Sequence, residues 1–156
     1  MAELKTRLQN DLTVAMKARE TVTAGALRMA LTAVTNEEVS GKQARELSDD
    51  EVVKVLAREA KKRKEAAEAF DGAGRVEKAD LERAELAVLE VYLPAQLDDA
   101  ELASIVDSAV AAVTAQLGET PGPKQMGQVM KVVNAEVAGR AEGGRVAAAV
   151  KAKLTS

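Results

Sequence analysis

Histidine, cysteine and tryptophan are all absent from this chain. Without cysteine there is no disulfide framework, no thiolate nucleophile and no cysteine metal site. Without histidine there is no Ser-His-Asp triad, no imidazole zinc site and no side chain that titrates near neutral pH of its own accord. A catalytic centre would have to rest on carboxylates, lysine, tyrosine or hydroxyls, and the sequence nominates no catalytic residue, no metal-ligand set and no cofactor. The aromatics are only Phe70 and Tyr92, so base stacking has almost nothing to work with. No apolar run approaches the roughly 20 residues that span a bilayer. The first residues, MAELKTRLQNDL, interleave charges with leucines and lack the apolar centre of a signal peptide. The expectation is a cytoplasmic protein with no membrane partner. A net charge of −3 exerts no general pull toward nucleic acid, so any such binding needs a local basic surface.

What is present is mostly Ala, Val and Leu, in a chain that is 47% hydrophobic and 30% charged and therefore globular rather than disordered. Only three prolines interrupt it, and no segment alternates with period two. Leu4, Leu8, Leu12 and Met16 predict a first amphipathic helix. ARETVTAG marks a break or tight bend. Leu27, Leu31 and Val34 line a second helix that runs to Ser40-Gly41, where glycine favours a cap. Ser48 and Glu51 match a capping box opening a third helix, with Val52, Leu56, Ala60, Ala67 and Phe70 inward. A fourth runs from Val76 to Leu93, closed by Pro94. Asp98 and Glu101 form a second capping box, followed by the stripe Leu102, Ile105, Val106, Ala109, Val110, Val113 and Leu117, stopped by Gly118. Met126, Met130, Val133 and Val137 mark a sixth helix ended by Gly139, and Val146, Val150 and Leu154 a seventh. The fold class is all-α, with a four-helix N-terminal domain over residues 1–94 and a three-helix C-terminal domain over 95–156.

Candidate sites are few. KKRK, residues 61–64, spreads around a helix and reads either as a solvated, ion-paired face or as a phosphate contact. The acids at 49–51 and 98–101 fall at helix starts, where they offset free amides and the helix dipole. Tyr92 closes the core at the domain junction. The stretch AGRAEGGRV, residues 138–146, stands out because three glycines and two arginines share nine positions. It is a turn, and it reads in two ways. Either it only turns the chain, or the helix start behind it, flanked by Arg140 and Arg145, offers amides and guanidinium forks to an anion. Gly139, Gly143 and Gly144 then permit close approach, and Lys124, Lys131 and Lys151 extend the positive surface.

Three blocks of the chain, GALRMALTAVTNEEV (25–39), AVLEVYLPAQLDDAEL (87–102) and KQMGQVMKVVNAEVAGRAEGGRVAAAVKAKL (124–154), together resemble the GatB/YqeY family. Its stand-alone YqeY-like members are relatives of the helical tail of the B subunit of the tRNA-dependent amidotransferase. The resemblance implies an all-α fold with a three-helix C-terminal domain. It also implies tRNA or tRNA-handling proteins as partners, and a link to carbon–nitrogen ligase activity whose catalytic centres lie in other domains. Lys124, Met126, Gly127, Gly139, Arg140 and Gly143 occupy positions the family pattern marks. Ala138 stands where the family often carries a base, and Glu142 where it commonly carries Asp. The reading is a non-catalytic module docking on tRNA or its machinery, with a protein-interaction adaptor or a ligase accessory as alternatives.

Overall fold

The computed structural model describes residues 2–156, and among these the secondary structure is helical with no strand. Seven α-helices follow one another: α1 (Glu3–Lys17), α2 (Thr21–Glu38), α3 (Asp49–Gly72), α4 (Val76–Glu90), α5 (Asp99–Leu117), α6 (Met126–Val137) and α7 (Gly143–Thr155). A short 3-10 turn, Pro123–Gln125, precedes α6. The chain divides into two compact units, Met1–Leu93 and Pro94–Ser156.

In the first unit α2 packs against each of α1, α3 and α4. Its core gathers Leu8, Leu27, Val34, Val52, Leu56 and Leu89, with Ala15, Ala30 and Ala60 allowing close helix approach. Each buried Leu or Val contributes on the order of 1.5–3 kcal/mol relative to exposure. Met16, expected inward, is 52% exposed, and Ala15 is buried instead. The cause is geometric: steps of four residues drift by about 40° each on a 3.6-residue helix, so a 4-4-4 series leaves the core face by its fourth member.

Three boundaries in this unit differ from the sequence expectation. The break after α1 falls at Ala18–Glu20, with Arg19 in a left-handed conformation (φ 58°), so that Thr21, Thr23 and Gly25 lie inside α2. Helix α2 ends at Glu38 with Val39 as its cap, not at Gly41; the buried Glu38 carboxylate accepts a 2.5 Å bond from Lys5 on α1 and its carbonyl accepts from the Arg45 N–H. Helix α4 stops at Glu90, and Tyr92 and Leu93 continue as a turn bonded back to Leu89 and Glu90. The half-buried Tyr92 packs on the core of this unit; its hydroxyl donates to Asp11 at 2.5 Å and its ring lies under Arg7. Burial, and then the Asp11 carboxylate, push its phenol above the usual range.

The capping box at Ser48 and Glu51 is formed, and Asp49 and Asp50 lie beside it in the first turn of α3. Asp49 reaches across to accept the Leu4 N–H at the start of α1. The basic run of α3 is an ion-paired face: Lys61 meets Glu65, Lys62 meets Glu59, and Arg58 meets Glu37 on α2. Arg63 turns inward between α3 and α4, ringed by Glu59, Glu82 and Glu85.

The second unit is a three-helix arrangement in which each helix contacts the other two. Leu102, Val106, Ala109 and Val113 of α5, Val129, Val133 and Val137 of α6, and Val146, Val150 and Leu154 of α7 close its core. The Asp98–Glu101 capping box opens α5, and Gly118, at φ 76°, ends it. Helix α5 is long and apolar enough to cross a membrane by length and composition, contrary to the expectation that no segment would be. Its inner stripe is used in this core, and its Asp107 pairs with Lys153 at 3.1 Å. Helix α6 ends one residue earlier than expected: Ala138 already adopts the left-handed conformation (φ 48°) and Gly139 continues it (φ 81°). An alanine held there costs about 1 kcal/mol that glycine would not.

Candidate nucleic-acid interface

The turn between α6 and α7 is built around a residue of its own chain. Leu97, just ahead of α5, donates its N–H to the Arg140 carbonyl at 2.7 Å and accepts at its own carbonyl from Arg145 Nη2 at 3.0 Å. Both main-chain groups of this nearly buried leucine are thus satisfied by the two arginines that flank the glycines. Arg145 Nη2 also meets Asp99 Oδ1 at 2.9 Å. The Arg140 guanidinium folds back on the end of α6, its Nε donating to the Val137 carbonyl at 3.2 Å and its Nη2 to the Glu136 carbonyl at 3.0 Å. There it satisfies carbonyls that the helix leaves unpaired and complements the negative end of the dipole.

The glycines divide by role. Gly139 sits at positive φ, where only glycine is unstrained. Gly143 and Gly144 form the first turn of α7, are exposed, and have no positive φ; a Cβ on either would meet nothing within 4 Å. The fold itself therefore asks for no glycine at these two positions. Glu142, at the N-cap, makes no side-chain capping bond, so the first amides of α7 lack that partner.

Lys124 lies in the 3-10 turn, Lys131 on α6 and Lys151 on α7; all three are exposed, and among the described residues none forms an ion pair. The structure joins Arg140 and Arg145 through Leu97 and links neither to the three lysines by any bond.

A signal readable in the sequence frames these cations. Residues 94–119 carry five acids and no base, whereas residues 120–156 carry six bases and two acids. The near-neutral sum of the unit conceals an acidic α5 beside a basic α7, with Lys124, Lys131 and Arg140 around a neutral α6. The sequence expectation weighed the charge of the whole chain and missed this division; Lys153, the sixth base, was left out of the site for the same reason. No group of three or more metal-ligating acids occurs among the described residues. A shallow depression of about 370 Å³ opens beside Arg145, lined also by Asp99, Leu102, Ala103, Ala148 and Ala149.

The family model for YqeY-like proteins matches residues 5–154, nearly the whole chain. The chain belongs to the YqeY-like family. The match spans both units, and it includes the LPAQL segment, the MGQVM helix start and the GRAEGG turn. The bond network between Leu97 and the arginines therefore joins two segments, LPAQL and GRAEGG, that both lie within the matched range of this YqeY-like chain. No curated protein matches the chain.

Proposed function

We propose that the protein is a non-catalytic helical module that docks on tRNA, or on another folded RNA, through the basic α6–α7 side of its second unit. The concentration of six bases against two acids over residues 120–156 carries the reading. Lys124, Lys131 and Lys151 are exposed and without ion pairs, as phosphate contacts require. Gly143 and Gly144 leave the start of α7 bare of side chains, which suits a backbone approaching a phosphate. The kinship of the family with the tRNA-amidotransferase tail points the same way. Recognition would be of shape and phosphate, since no aromatic side chain occurs in residues 94–156. We place the protein in the cytoplasm and take residues 1–94 and 95–156 as separately folding domains.

The test is a tRNA titration at two salt concentrations, with wild type and with Lys124, Lys131 and Lys151 all changed to glutamine. Each engaged lysine should contribute about 0.7–0.9 to the slope of log affinity on log salt. An unchanged slope in the triple variant would sink the assignment of the surface; no binding even at low salt would sink the RNA reading itself.

A second reading, a protein-interaction adaptor, draws on the depression beside Arg145, whose lining of Leu102, Ala103, Ala148 and Ala149 suits a small apolar side chain. A complex that survives nuclease and high salt would favour it. The role of accessory to a carbon–nitrogen ligase rests on kinship alone and is tested by glutamine-dependent amide formation with and without the protein.

A further inference from the structure

Helix α7 carries three cations along its length, and two of them are tied to acids of α5. Arg145 meets Asp99 at 2.9 Å near one end, and Lys153 meets Asp107 at 3.1 Å near the other. Lys151 alone has no such partner. The two acids stand eight residues apart on α5, and so do the two cations on α7. At about 1.5 Å per residue this puts both pairs on matched rungs roughly 12 Å apart. The carboxylates are well exposed, Asp99 at 98% and Asp107 at 61% of the side chain, and neither has another cationic partner among the described residues. They are not needed to satisfy a buried charge. What they do is present to α7 anionic oxygens, the chemistry that a phosphate strand would also offer.

We propose that Asp99 and Asp107 are built-in competitors for the polyanion. In the free protein they occupy Arg145 and Lys153, and an incoming RNA must displace them before those two cations can reach phosphates. The inference rests on the RNA reading above and adds to it an autoinhibitory contact between α5 and α7. Exchange of a carboxylate for a phosphate also changes the ion balance. A displaced carboxylate takes up a counterion, so each exchange returns part of the counterion release that a phosphate contact would otherwise bring. The free protein should therefore bind RNA more weakly, and with a shallower salt dependence, than its count of cations implies.

The experiment compares tRNA binding by wild type, by the double variant Asp99→Asn/Asp107→Asn and by a charge-matched control, Glu90→Gln/Glu119→Gln. The control removes two exposed acids that lie outside α6 and α7 and form no ion pair among the described residues. Asparagine keeps the shape of aspartate, and helix content measured by circular dichroism checks that each variant is folded. An exposed ion pair is worth roughly a twofold to fivefold bias, so the Asp variant, which removes two, should bind about fourfold to twenty-fivefold more tightly than wild type. Its salt slope should be steeper by up to about 1 for each cation freed. The control, sensing only the change in net charge, should gain clearly less on both measures. Equal gains by the two variants, or no gain by the Asp variant while wild type binds, would overturn the competition and leave the RNA reading standing. Failure of all three proteins to bind tRNA at low salt would overturn both.

Discussion

Arg145→Ala offers the sharpest separation of what the turn does for the fold from what it does for a partner. The substitution removes the bond from Nη2 to the Leu97 carbonyl and the pair with Asp99. A hydrogen bond from a charged donor is worth about 1.5–3 kcal/mol, and the carbonyl left behind belongs to a residue only 7% exposed. The Asp99 pair adds little, because that carboxylate is almost wholly in solvent. Alanine returns a few tenths through its helix propensity. The net cost to the second unit is about 2 kcal/mol, which for some 60 residues is a fall in Tm of about 15 °C. Arg145→Lys keeps the charge but shortens the reach of the one nitrogen, Nη2, that serves both acceptors, and should cost about half as much. Fluorescence does not report on this unit, whose sequence holds no aromatic residue. Urea unfolding is better followed by circular dichroism, with amide exchange read at Leu97, whose N–H is held by the Arg140 carbonyl at 2.7 Å. A variant within about 0.3 kcal/mol of wild type, with Leu97 exchange unchanged, would show that the arginine is not part of the fold's closure.

Gly144→Ala should raise the stability of the second unit by about 0.5–1 kcal/mol, since its Cβ meets nothing and alanine is the better helix former. The same change should weaken tRNA binding if a phosphate approaches that backbone, and opposite signs in the two assays are the outcome to look for. Ala138→Gly should also stabilise, by about 0.5–1 kcal/mol, because φ at 138 is 48°; a loss in thermal unfolding would refute the strain. Acid should loosen the first unit through Glu51, whose pKa the Arg45 bond and the Ser48 amide lower from 4.5 to about 2. A depressed folded pKa means the contribution is complete above about pH 4.5 and is lost as pH falls toward 2. Arg45→Gln should flatten that limb of a pH–stability curve, and an unaltered limb would assign it elsewhere. Residues 94–156 expressed alone should give a helical spectrum with a cooperative thermal transition, and a molten fragment would refute separate folding.

The helices were legible because their signals are local. Both capping boxes and the Gly118 stop fall where the sequence put them, as do the apolar stripes of α5 to α7, except that Leu117 is 38% exposed and Val129 of α6, not foreseen, is fully buried. The misplaced details were decided by geometry that a spacing rule ignores. Met16 leaves the core because a strict four-residue repeat drifts around the helix, and Ala138 is left-handed although nothing in its side chain favours it. Tyr92 was read as closing the core, and it packs there, but its bond to Asp11 spans 81 residues and has no sequence signature. The candidate site was legible as a collection of residues and not as a set of contacts. That Arg140 and Arg145 both attend to Leu97 depends on α6 and α7 packing so that the turn meets the segment ahead of α5, which only tertiary structure supplies.

This division sharpens what the GRAEGG turn is for. Arg140 and Arg145 each have an intramolecular duty that accounts for their presence, and Gly139 is accounted for by its φ. Gly143 and Gly144 have no such duty: they cost the helix propensity and return no steric benefit to this chain. A residue pair that the fold does not require, at the positive end of a helix dipole, is where the proposed docking on RNA would make its demand on the sequence. The two glycines therefore bear more weight in the functional reading than the two arginines, the reverse of what their charges suggest. Variants of Gly143 and Gly144, which leave the clasp on Leu97 intact, are accordingly cleaner probes of binding than variants of Arg140 or Arg145, whose loss of affinity would be mixed with loss of fold.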